Sequence, residues 1–247
     1  RRNGSVGAAT VAGSGTFWDI FGKIHVGSIG NGTLVVAAGS RVRNLDATIG
    51  NGKVEVSGAG TEWNARSIKL SERASGELVI RDGGVVTGAF ANLAGGEALI
   101  EGNGSRWDTS MGMQVGAGAV ESSSLVIRDG GTATAANVRI SGFGGIEVRG
   151  SGSSLISEGE LFVGYLGSNS LIAADGAFIK SSNASVGRAS TGTASITGRG
   201  AKWETMYFHL GDDGTGSLTV ADGGELEAGE LHASISDIDG LPAARPT

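Results

Sequence analysis

An eight-residue pattern recurs five times along this chain. Each copy has an aliphatic residue first, glycine at its third and fifth positions and tryptophan last, except that the fourth copy ends in leucine. Successive copies begin 45, 44, 48 and 48 residues apart. They occupy residues 11–18, 56–63, 100–107, 148–155 and 196–203. Tandem units of this length are typical of solenoids and propellers.

A second pattern alternates with the first. The run Leu-Val-Ile-Arg-Asp-Gly-Gly occurs identically at 78–84 and 125–131, and looser copies begin at Leu34, Leu171 and Leu218. Three residues after the corresponding glycine, both patterns place an apolar residue, and successive members of the series are 21 to 26 residues apart. The series is Trp18, Val42, Trp63, Val86, Trp107, Ala133, Leu155, Ile179, Trp203 and Leu226.

This half-length period separates the two candidate folds. A propeller blade has no internal duplication, whereas a parallel β-helix fills the same interior position once per coil. We therefore expect an all-β parallel β-helix of about ten coils, arranged as five tandem double-coil repeats. The single domain is expected over 1–235, with a tail or linker over 236–247. At about 4.8 Å per coil the rod would be roughly 50 Å long.

Composition supports strands joined by tight turns. The 247 residues include 46 glycines and 39% hydrophobic residues, enough apolar surface to exclude a disordered linker. The net charge of −6 and the absence of a basic run argue against nucleic acid as a partner. No stretch reaches the roughly 20 apolar residues of a membrane helix. The three histidines lack metal-ligand spacing, so neither metal nor cofactor is expected.

The alternation of V-x-G-x-G-S-x-W with L-x-V-x-x-G-G resembles the repeats of bacterial autotransporter passenger domains and related exported repeat proteins. The resemblance covers about residues 5 to 230. It implies a right-handed β-helix that is secreted or displayed on the Gram-negative outer membrane. It further implies an adhesin that acts in attachment, virulence, cell aggregation or biofilm formation. The implied partner is a host cell-surface or matrix molecule, a glycan, or another copy of the rod.

Candidate binding residues come from the connections between strands. These connections vary in length and fall at one point of the repeat, so they should form one edge of the rod, where solenoids often bind partners. The candidates are Glu72, Arg73, Glu121, Ser122, Tyr165, Asn169, Asp212 and Asp213.

Other patterns have both a structural and a functional interpretation. The tryptophans could stack on sugar rings, but a position that accepts any apolar residue and no polar one favours the core. The Asp212–Asp213 pair could supply the acid and base of a carbohydrate-active enzyme. Adjacent aspartates in a glycine-rich loop are more often turn residues, as are Asp82 and Asp129 in their Arg-Asp-Gly-Gly runs. The sequence favours a non-enzymatic adhesin, with a structural stalk and a β-helix enzyme as alternatives.

Overall fold

The chain folds into a parallel β-helix. The computed structural model describes residues 5–28, 30–70, 76–116 and 122–234, and these contain twenty strands and no helix. Within these ranges, therefore, no helix is long and apolar enough to cross a membrane. The first sheet stacks β1 (Val6–Ala12), β3 (Asn31–Ala37), β5 (Gly52–Ser57), β7 (Glu77–Arg81), β9 (Gly96–Glu101), β11 (Ser123–Arg128), β13 (Gly144–Arg149), β15 (Glu160–Ala174), β17 (Thr191–Thr197) and β19 (Gly216–Ala221).

The second sheet faces the first across the core. It stacks β2 (Phe17–Val26), β4 (Arg41–Ile49), β6 (Glu62–Leu70), β8 (Val85–Leu93), β10 (Arg106–Val115), β12 (Thr132–Gly142), β14 (Ser154–Ser157) together with the start of β15, β16 (Phe178–Val186), β18 (Lys202–Leu210) and β20 (Glu225–Ala233). All neighbouring pairs are parallel. Ten coils result, as the repeat predicts.

Strands of the second sheet bend near their middle. The pairing register shifts between Ile20 and Lys23 in β2 and between Thr109 and Gly112 in β10. Extra residues that remain unpaired bend a strand and reorient the side chains beyond them. Each coil therefore has a distal segment, the part of the second-sheet strand after the bend, which forms a further outer face of the rod.

The predicted interior series is confirmed. In-register pairing joins each of its ten members to the next, from Trp18 opposite Val42 to Trp203 opposite Leu226. Trp63, Trp107 and Trp203 are completely buried. Trp18 is 39% exposed and Leu226 is only partly buried, because each lies in a terminal coil of the described stack. The three tryptophans of the inner coils thus belong to the core.

The two sequence patterns form two kinds of turn between the sheets. Four residues separate Ser57 from Glu62 in the octapeptide, whereas three separate Arg81 from Val85 in the other pattern. In the shorter turn Asp82 adopts a φ of 54° and the amide of Gly84 donates to the Arg81 carbonyl at 3.0 Å. Aspartate tolerates this left-handed conformation better than most residues, which confirms the turn role of Asp82.

Buried hydroxyl groups connect successive turns. The hydroxyl of Thr61 accepts a hydrogen bond from the amide of Gly39, one coil earlier, at 2.9 Å. Ser105 accepts from Gly83, and Ser153 accepts from Gly130, each at 3.0 Å. In these three copies the sixth residue of the octapeptide, directly before the second-sheet strand, therefore accepts a hydrogen bond from a turn amide of the preceding coil. In the fifth copy this position is Ala201, which is buried and has no hydroxyl.

Candidate functional site

The predicted binding residues do not share one environment in the structure. Glu72, Arg73 and Glu121 lie outside the described residues. Ser122 is exposed directly before β11, and Tyr165 is 37% exposed within β15. Asp212 and Asp213 are exposed in the connection after β18, where the amide of Asp213 donates to the Arg188 carbonyl at 2.8 Å.

The prediction of Asn169 as a binding residue is wrong. Residues 165–169 are not a loop, because β15 continues through them, and Asn169 is only 3% exposed. Its Nδ2 donates to the carbonyl of Gly142 at 3.0 Å. Asn169 lies two residues before the buried Leu171, so the alternation of a strand directs its side chain inward. Most coils have glycine here, including Gly144 and Gly192, its neighbours in the sheet.

Tyr165 and Asp212 belong to a continuous surface feature. Arg139, Phe162, Ser185 and His209 occupy equivalent outward positions in four successive coils. Tyr165, Arg188 and Asp212 each follow a member of that column by three residues. We call the resulting surface the edge strip, formed by Arg139, Phe162, Tyr165, Arg188 and Asp212.

Stacking of guanidinium groups on aromatic rings organises the edge strip. The Cζ of Arg139 lies 4.4 Å from the ring centroid of Tyr165 and 5.9 Å from that of Phe162. The Cζ of Arg188 lies 4.6 Å from the centroid of Phe162. Phe162 is only 7% exposed although its strand position points outward. Its ring therefore contacts both guanidinium groups, an arrangement that is favourable through the ring quadrupole.

Polar contacts extend the edge strip towards the C-terminal coils. Asp212 lies 4.0 Å from the Arg188 guanidinium and 3.5 Å from Nδ1 of His209. It also accepts a hydrogen bond of 3.0 Å from the hydroxyl of Ser185. The His209 ring stacks on His232 of the next coil, with 5.1 Å between ring centroids. Asp212 is thus held by three side chains, and the edge strip combines aromatic surface with both signs of charge.

A groove of about 480 Å³ lies beside the edge strip. Gly112 pairs with Phe90 on one side and with Asn137 on the other, so a residue without a side chain separates two outward side chains. Asn92 and Arg139 line the same recess, and Glu160 follows Asn137 one coil later, where its amide donates to Asn137 Oδ1 at 2.9 Å. We call this recess the central groove, lined by Phe90, Asn92, Gly112, Asn137, Arg139 and Glu160.

Arg139 differs from the arginines that pair with acidic residues elsewhere on the rod. Arg81 and Arg128, from the second sequence pattern, bind carboxylates of the preceding coil, Glu55 at 2.8 Å and Glu101 at 2.7 Å. Among the described residues no carboxylate lies within 4.0 Å of Arg139, and its buried Nε has no hydrogen-bond partner. The buried Oδ1 of Asn92 has no partner there either. The wall of the central groove therefore contains two buried polar atoms that the described chain does not satisfy.

Arg139, Phe162 and Arg188 were not among the binding residues predicted from the sequence. No repeated residue type marks these positions, and they come together only through the register of neighbouring coils. Histidine, aspartate and glutamate side chains form no cluster of three or more that could hold a metal ion within the described ranges. No protein-family model, curated protein or solved structure matched the chain.

Proposed function

We propose that this chain is the passenger region of an extracellular bacterial adhesin, secreted or displayed on the outer membrane. It attaches to a host surface or matrix molecule, or to another copy of itself in aggregation and biofilm formation. The sequence resemblance to autotransporter passengers supports this proposal. In this function the rod acts by binding, and no catalytic step is required.

The observation that carries the proposal is the edge strip. Tyrosine and arginine are enriched at the energetic centres of protein interfaces. Here Tyr165 and Arg139 are stacked, with Arg188 beside them on Phe162. Side chains that are already ordered lose less conformational entropy on binding than mobile ones do. A stiff rod with such a surface is suited to contacts that become strong through multivalency.

Attachment of beads coated with the purified chain tests this function. We expect the beads to adhere to cultured epithelial cells or to immobilised matrix proteins, or to aggregate with one another, more than uncoated beads do. Tyr165→Ala and Arg188→Ala should reduce attachment at least threefold. Phe17→Ala is the matched control, because Phe17 is 55% exposed and lies under the Arg43 guanidinium in the first coil, outside the edge strip and the central groove.

Two results would contradict the proposal. Beads that neither attach nor aggregate on any surface would leave the structural stalk as the better hypothesis. Equal loss of attachment in Tyr165→Ala and Phe17→Ala would show that the edge strip is not the contact surface. Sedimentation velocity of the same chain distinguishes self-association from attachment to a host molecule. Self-association makes the sedimentation coefficient rise as the protein concentration rises, whereas a chain that binds only a host molecule shows no such rise.

A further inference from the structure

We infer that the central groove binds an acidic glycan, with its carboxylate on Arg139 and a sugar ring against Phe90. This inference rests on the proposed adhesive function and identifies a ligand class for it. A volume of about 480 Å³ lies within the range of roughly 300–1,000 Å³ that is usual for ligand sites.

The charge of the ligand follows from Arg139. A guanidinium group donates from a planar fork that matches a carboxylate. The Arg81 guanidinium meets such a partner in Glu55 within the rod itself, whereas Arg139 has none among the described residues. Its contacts with Phe162 and Tyr165 fix the guanidinium beside the recess without using its hydrogen-bonding capacity. Because Nε is buried, an external carboxylate would bind the two terminal nitrogens of the Arg139 guanidinium.

The saccharide nature of the ligand follows from the remaining groups. Phe90 is 48% exposed and offers a ring face, which is a surface suited to the apolar face of a sugar. Asn92 and Asn137 line the recess, and the amide nitrogens of both can donate to hydroxyls. The Glu160 carboxylate has no ion-pair partner among the described residues and accepts hydroxyl hydrogens. Hydroxyls can satisfy all three of these side chains, which a purely anionic ligand such as phosphate cannot do.

The geometry of the recess matches an extended ligand. Phe90, Gly112, Asn137 and Glu160 lie in four successive coils, which at about 4.8 Å per coil gives a length of roughly 14 Å. The residues recur at the coil spacing along the rod axis. An oligosaccharide that lies parallel to this axis would contact each in turn.

Isothermal titration calorimetry of the purified chain with a hyaluronan oligosaccharide tests the inference. Hyaluronan carries carboxylates and no sulfate. We expect saturable binding that weakens as salt increases, and at least tenfold weaker binding of a neutral chitin oligosaccharide. Arg139→Gln should weaken hyaluronan binding at least tenfold. Arg199→Gln, which also removes an arginine without an ion pair among the described residues, should leave it unchanged.

A second pair of variants tests the recess itself. Gly112→Leu should abolish binding by filling the space, and the fold should tolerate it, because a Cβ there would meet its nearest atom at 3.5 Å and the φ of Gly112 is not left-handed. Gly22→Leu, at the bend of the first coil where a Cβ meets nothing within 4 Å, is the matched control. Circular dichroism melting verifies that both variants remain folded.

Each other outcome overturns the inference. No saturable binding of hyaluronan, or equal binding by Gly112→Leu, excludes the central groove as its site. Equal binding of the neutral oligosaccharide shows that Arg139 does not select a carboxylate. Equal binding of an oligoglutamate peptide assigns the groove to acidic protein segments instead. Beads that attach to cells while hyaluronan fails to bind would refute the glycan alone and leave the adhesive function intact.

Discussion

The indole Nε1 of Trp63 donates a hydrogen bond of 2.7 Å to Oδ1 of Asn44, one coil earlier, inside the rod. Trp63 is completely buried and Asn44 is 4% exposed, so no solvent competes for this bond. Trp203 is bonded in the same way to the hydroxyl of Ser181, at 3.1 Å and at the equivalent position. At Trp63 and Trp203, therefore, a polar residue two positions after the preceding interior residue accepts the indole N–H.

Replacing Asn44 by alanine should destabilise the chain. The Trp63 N–H would remain buried without an acceptor, which costs about 1–3 kcal/mol. Urea denaturation of Asn44→Ala and Asn44→Ser measures the effect, and the serine variant should lose less because Ser181 already serves Trp203 in this way. Asn64→Ala is the control, since its bond to Thr87 lies on the exposed surface. Equal losses for Asn44→Ala and Asn64→Ala would contradict the prediction.

Replacing Ala201 by serine should stabilise the chain. The equivalent hydroxyl of Ser153 accepts from the amide of Gly130, whereas Ala201 offers no acceptor to the corresponding amide of Gly176. A new buried hydrogen bond contributes about 0.5–1.5 kcal/mol. The reciprocal variant Ser153→Ala should lose a similar amount in urea denaturation. A loss of stability in both variants would mean that the turn at Ala201 has no room for the hydroxyl.

Replacing Ala38 by glycine should also stabilise the chain. Ala38 has a φ of 56°, and the equivalent positions are occupied by aspartates such as Asp82 and Asp129 with φ of 54° and 55°. Alanine lacks the local hydrogen bonds that help aspartate in this conformation. Removing the Cβ should therefore gain about 0.5–1 kcal/mol.

Ala37→Gly provides the opposite case for comparison. Ala37 ends β3 and pairs in register with Ala12 and Ser57, so glycine there should lose about 0.5–1 kcal/mol. The thermal midpoints of the two single variants should therefore move in opposite directions. Midpoints that fall together would show that chain entropy, and not the left-handed conformation, dominates at Ala38.

The fold was predictable because the interior series accepts only apolar residues. Every coil must present an apolar residue to the same place, so the series from Trp18 to Leu226 is visible as a period in the sequence. The extra residue of the octapeptide turn, between Ser57 and Glu62, is visible for the same reason.

The outer surface was harder to predict. Arg139, Phe162 and Ser185 share one column but no chemistry, so no repeated residue type marks it. The contacts of Arg139 with Phe162 depend on which coils become neighbours, and the sequence shows this only after the register is known. Asn169 was misplaced because variable length suggested a loop, although its distance from Leu171 already indicated an inward side chain.

The acid stability of the last coils should depend on Lys202. Its Nζ lies 2.6 Å from a carboxylate oxygen of Glu227 and 2.9 Å from one of Glu204. The hydrogen bond from Lys202, together with its positive charge, lowers the pKa of Glu227 below its ordinary value. A carboxyl group whose pKa is lower in the folded state stabilises that state above its unfolded pKa of about 4.3. This contribution disappears as the pH falls through the folded pKa.

Lys202→Met should therefore raise the pKa of Glu227 towards its ordinary value and flatten the acid side of the stability curve. Carboxyl-carbon NMR titration of Glu227 measures the first effect, and thermal midpoints between about pH 3 and pH 7 measure the second. Lys180→Met is the control, because Lys180 lies opposite Glu204 in the same column, one coil earlier. If the pKa of Glu227 rose equally in both variants, a general loss of positive charge would explain the shift, and the bond from Lys202 would not.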